Sequence, residues 1–158
     1  MEFKDNDVEL KKYLKLRDNA LKYTYKDMNL NLENDNQVYI AVADIPVESK
    51  IVGFHSQTLV LIYGLNTHIY SSSGQVITKL EKFPNVMNAM QSLFISCPQV
   101  LQKMKLTENV NYYNSDKIRI YLKCRKGIYF REINNALKED RFLKMLIENV
   151  LFEIAHAI

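Results

Sequence analysis

A chain of 158 residues with 47% hydrophobic side chains can bury one core, and a formal net charge of +3 is too small for a chain built chiefly to coat a polyanion. Two cysteines without Cys-x-x-Cys spacing exclude a disulfide framework and a thiolate zinc site. The opening residues do not join a basic start to an apolar run and a cleavage site, and no stretch of about 18 apolar residues exists, so residues 1–158 are expected to be one soluble, cytoplasmic domain with no membrane contact.

The charge is unevenly spread. Asp27, Glu33, Asp35, Asp44 and Glu48 fall in a stretch to Ser49 that has no lysine or arginine, whereas residues 101–131 carry eight basic side chains against Glu108 and Asp116. Such a split either steers a charged partner or pairs internally.

In chain order, Asn6 followed by Glu9 reads as a capping box that starts a helix near Asp7. Leu10, Tyr13, Leu14, Arg17, Leu21 and Thr24 form one stripe at helical spacing, with Lys11, Lys12, Lys15, Asp18 and Lys22 behind it. This amphipathic helix should lie on a sheet with its lysines in solvent. The Asn- and Asp-rich segment 29–37 reads as a loop. Val38 to Ala43 reads as a strand that Ile45-Pro46 stops or places at an edge, and Lys50 to Phe54 as a further short strand.

Thr58 to Gly64 is apolar without alternation, as expected of an interior strand covered on both faces. Thr67 to Tyr70 and Gln75 to Thr78 continue a β-meander, with Gly64, Asn66 and Gly74 supplying positive φ at its turns. Ser71-Ser72-Ser73-Gly74 lacks the Lys-Ser/Thr and the following helix of a phosphate loop, so a hairpin turn is the reading. Pro84 suits the first turn of a helix with Val86, Met90, Leu93 and Phe94 buried, and Pro98 opens another short helix carrying Val100, Leu101 and Met104. The methionines and both cysteines are expected to fill the core.

In residues 116–133, Ile118, Ile120, Leu122 and Cys124 alternate with Lys117, Arg119, Tyr121, Lys123 and Arg125. A three-residue Arg125-Lys126-Gly127 turn would pair Cys124 with Ile128 and Leu122 with Phe130 on the core side. Arg119, Tyr121, Lys123, Tyr129 and Arg131 would then project together into solvent, dispensable for folding. The last helix, Asn135 to Ala157, is apolar over much of its circumference, so either it crosses the sheet under other helices or one flank joins a second copy of the chain.

The fold expected is α+β: an antiparallel sheet made of the meander and the C-terminal hairpin, with an N-terminal amphipathic helix, middle helices and a buried C-terminal helix, the helices on one face. The function expected is a non-catalytic protein-interaction module of inhibitor or immunity type, with Arg119, Tyr121, Lys123, Tyr129 and Arg131 meeting an acidic protein surface. The alternative is a nucleic-acid binder that stacks bases on the same tyrosines. A small hydrolase or metal enzyme using His55 or His68 near Asp44 and Glu48 is the third reading; no spacing supports it, so no catalytic, cofactor or metal residue is assigned.

Overall fold

A computed structural model describes residues 3–49, 53–63 and 66–158. Helix α1 (Phe3–Lys22) precedes strands β1 (Ile40–Ser49), β2 (Gly53–Ile62), β3 (Asn66–Ser71) and β4 (Val76–Ile77). Helix α2 (Pro84–Ser96) runs into a 3-10 turn at Cys97–Lys103, and β5 (Lys105–Thr107), β6 (Arg119–Cys124), β7 (Gly127–Glu132) and α3 (Lys138–Ala157) complete the chain. The strands form one open antiparallel sheet in the order β4-β3-β2-β1-β6-β7-β5. The α+β class and the meander-plus-hairpin construction expected from the sequence are both present.

The helices cover both faces of the sheet, not one. Ala41, Ala43, Leu59, Leu61, Ile120 and Leu122 pack with α2 and α3 in the larger core, while Ile40, Val42, Val60, Ile62 and Tyr121 pack with Tyr13, Ala20 and Leu21 of α1 in a second. Period-two alternation sends successive side chains to opposite layers. With both layers roofed, the alternation in β6 separates two interiors and not an inside from an outside. The expected interior strand is β2: Thr58 to Leu61 are all buried, between β1 and β3.

Several boundaries move. The α1 backbone is helical from Phe3, so Asn6 lies within the helix and not at its cap. Of the two readings of Ile45-Pro46 the edge holds: strand β1 runs on to Ser49, its ladder to β6 ends at Asp44, and a proline is tolerated where a strand has a neighbour on one side only. Gly74 has the positive φ expected of it (100°), whereas Asn66 simply opens β3, and Gly64 and Leu65 lie outside the described residues, as do Lys50 to Val52 of the short strand expected there. Ser71-Ser72-Ser73-Gly74 is the β3–β4 hairpin turn, closed by the Gly74 amide on the Ser71 carbonyl. Helix α3 begins at Lys138, after Asn135 takes a left-handed conformation at φ 64° that interrupts the chain. The 3-10 turn carries buried Val100 and Leu101, as the sequence led us to expect. Strand β5 has no signature in the sequence, since three residues are too few to display a period.

The hairpin register also differs. Cys124 pairs with Gly127, Leu122 with Tyr129 and Tyr121 with Phe130, so the turn is the two residues Arg125-Lys126, with Gly127 at φ 137° as the first residue of β7. One residue fewer in the turn turns β7 over relative to the expected pairing. Ile128 and Phe130 therefore face α1 and Tyr129 the opposite layer.

Candidate functional site

The five residues proposed from sequence as one exposed patch are divided between the two layers and largely withdrawn from solvent. Arg119, Tyr121 and Lys123 are buried on the α1 face. Tyr129 packs against the α2–α3 core, and Arg131 donates from Nε and Nη2 to the two Asp140 oxygens at 2.8 and 2.9 Å. That pair ties β7 to the first turn of α3, where an acidic side chain also favours the helix dipole. The Arg131 bonds hold the Asp140 carboxyl below its usual range.

Beneath α1 the sheet and helix enclose a polar layer. Arg17, on the stripe read as buried from the sequence, donates from Nε and Nη2 to Asp44 at 3.0 and 2.8 Å, with both residues at most 1% exposed. Its Nη1 donates to the Val110 carbonyl at 2.7 Å, and its guanidinium lies 5.6 and 5.3 Å from the Tyr112 and Tyr121 ring centres. Thr58 donates to Asp44 at 2.7 Å and meets the Tyr13 hydroxyl at 2.5 Å. The helix is thus keyed to the sheet by a satisfied ion pair and not by apolar contact alone. Lys123 spans the same layer lower down, donating from Nζ to the carbonyls of Leu21 and Tyr23 at the end of α1. The acidic and basic stretches of the sequence meet within the chain: Asp44 stands opposite Arg119 in the buried layer, and Arg125 pairs with Asp35 at 2.9 Å at the surface.

This layer sets a pH dependence. Burial pushes the Lys123 ammonium from its ordinary 10.5 down to about 8, with Asp27 partly opposing. Between those values the unfolded chain binds the extra proton, so the Lys123 contribution to stability rises with pH by about 1.4 kcal/mol per unit. Burial moves the thiols of Cys97 and Cys124 the other way, Cys124 to about 11, so the folded state keeps protons that the unfolded state loses above pH 9. Tyr13, raised to about 12 by burial and by Asp44, adds to that loss from pH 10. Thermal melts under reducing conditions should peak near pH 9, and Lys123→Met should abolish the rise just below it. A monotonic fall from pH 7 in the parent chain would contradict this assignment.

Of the histidines, His156 is exposed at the end of α3, and the His55 side chain lies outside the described residues. His68 stacks on Tyr70 with its Nδ1 buried and without a hydrogen-bond partner among the described residues; burial lowers its pKa and Glu81 counters this. No group of three or more His, Cys, Asp and Glu residues placed to hold a metal occurs among the described residues.

The surface feature with the shape of a binding site lies on the other face. Segment 33–38, the end of β2 and helix α2 enclose an open groove of about 820 Å³, within the range of ligand pockets. Its floor is Val38, Met90 and Phe94, with Tyr63 packed edge-on against Phe94 at 5.7 Å. Asn34, Asn36, Gln37 and Gln91 line it with carboxamides, and Glu33 is the sole charged residue lining it among the described residues. The rim is set by local bonds: the Asn34 side chain accepts from the Asn36 amide at 2.8 Å, and the Gln37 side chain from the Glu33 amide at 2.6 Å. Ile95 stands at the edge 78% exposed. The sequence held two quiet signals for this groove, an aromatic Tyr63 ending the buried run and an isoleucine one step off the α2 stripe.

Fold and groove together define an open seven-stranded α+β domain with one carboxamide-rimmed apolar cleft. No protein-family model, curated protein or solved structure matches the chain.

Proposed function

We propose that this chain is a non-catalytic protein-interaction module, of the inhibitor or immunity type, that seats an extended segment of a partner in the groove between residues 33–38 and α2. The observation that carries this reading is the pairing of an apolar floor with carboxamides along the rim. Phe94, Met90 and Tyr63 offer a seat for one apolar or aromatic side chain, and Asn and Gln side chains both donate to and accept from a peptide backbone. Glu33 favours a partner residue of positive charge at that end. The acidic partner expected from the hairpin loses its patch, because Arg119 and Lys123 are buried. The same burial takes from the nucleic-acid reading the side chains on which it relied.

The test is selection of peptides from a displayed random library on the immobilised protein, followed by titration of the winners against Ile95→Asp. Selected peptides should share an apolar anchor, and the substitution should weaken them about tenfold or more without moving the melting temperature, since Ile95 is almost free of packing. Peptides that bind the variant as tightly, or no enrichment at all, would refute the groove as the interface.

A further inference from the structure

Among the described residues, Arg119 is the one guanidinium in the α1 layer that the fold does not satisfy. Its side chain is fully buried; Nη1 donates to the carbonyls of Ser115 and Lys117 at 3.1 and 3.0 Å, while Nε and Nη2 have no partner among the described residues. A guanidinium cannot escape the cost of burial by losing its proton, and Nε with Nη2 is the edge that grips an oxyanion through two parallel bonds. Both carboxylates flanking it across the sheet are committed elsewhere. Asp44, its neighbour on β1, is taken by Arg17 and Thr58, and Glu132, its neighbour on β7, accepts from the Tyr113 hydroxyl at 2.5 Å. Arg17, Arg119 and Lys123 thus share this layer with Asp44 as its one fully buried carboxylate among the described residues, and the half-exposed Asp18 reaches Arg17 at 3.6 Å. What covers Arg119 is the irregular connection 108–118, whose Tyr112 and Tyr113 rings lie 5.6 and 5.2 Å from the guanidinium carbon.

We infer that the free Nε–Nη2 edge of Arg119 is a receptor for one oxyanionic group, phosphate or carboxylate, reached from the 108–118 connection and bordered by Tyr112 and Tyr113. Charge surplus, committed neighbours and an aromatic frame supply what such a site needs: an anion there completes two hydrogen bonds and neutralises a buried cation. Tyr113 also sets its availability, because by holding Glu132 it keeps the protein's own carboxylate off Arg119. This site is distinct from the groove and does not depend on it.

The direct readout is the Arg119 Nε–H resonance of the labelled full chain during titration with inorganic phosphate and, separately, with acetate at constant ionic strength. A saturable shift at millimolar anion is expected, and the stronger of the two ligands identifies the group. Tyr113→Phe, at a residue 40% exposed, should leave the fold intact and release Glu132 to compete, weakening the anion about tenfold. Arg119→Lys, followed through the backbone amide resonances of Tyr112 and Tyr113, keeps the charge without the fork and should abolish the saturable shift that those amides show in the parent chain; if it fails to fold, the Tyr113 variant decides alone. The absence of a saturable shift in the parent chain, or equal affinity in Tyr113→Phe, would overturn the proposal.

Discussion

Asp44→Asn should lower the free energy of unfolding by about 3–5 kcal/mol, the usual cost of removing one member of a buried ion pair. The substitution keeps the size of the side chain and an acceptor for Thr58, so the loss isolates the charge. What remains is an Arg17 guanidinium with no exposure, left with the half-exposed Asp18 carboxylate at 3.6 Å, beside a second buried guanidinium at Arg119. The effect should be much smaller when both partners are replaced, as in Arg17→Met with Asp44→Leu, because the desolvation cost of both ions vanishes with their attraction. Urea denaturation of the single and double variants makes the comparison. A single variant within 1 kcal/mol of the parent would mean that the pair does not fasten α1 to the sheet.

Leu61→Asp should be more severe and abolish cooperative folding. Leu61 is wholly buried on β2, flanked by Ala41 and Thr67 on the neighbouring strands, within the core formed with α2 and α3. The side chains packed around it are apolar. Burying a carboxylate there unpaired, together with the lost apolar contacts, costs several kcal/mol and competes with a total stability of about 5–15 kcal/mol for a domain of ordinary stability. Leu61→Ala, at about 2–5 kcal/mol, gives the graded control for volume without charge. The same leucine- or isoleucine-to-aspartate exchange at Ile95 should leave the melt unchanged, which separates position from chemistry. A folded Leu61→Asp with the parent melting temperature would remove β2 from the interior.

Much of the fold was readable because its signals are local. The unbroken run at residues 58–62 requires two covered faces, Pro84 marks a helix start, and the stripe on α1 gives the face that packs. Arg17 and Asp44 carried a signal that went unread: a cation on a largely apolar stripe implies a buried acceptor, and a carboxylate in an apolar strand was the matching sign. The groove was less legible: its lining comes from segments 33–38, 63 and 90–98, which no sequence spacing relates.

The error over the hairpin has the same origin. By itself the sequence determined which residues of β6 share a side, because the strand period is a property of the backbone. It could not determine that the side bearing Arg119, Tyr121 and Lys123 is roofed by α1, nor that the turn is Arg125-Lys126. Those depend on partners distant in the chain: the carbonyls of Leu21 and Tyr23 that receive Lys123, the connection that covers Arg119, and Asp35 and the Leu32 carbonyl that hold Arg125 at the turn. Alternation fixes the two faces of a strand, but only tertiary contacts decide which face meets water, since long cationic side chains can be buried wherever carbonyls, carboxylates and aromatic rings are brought to meet them.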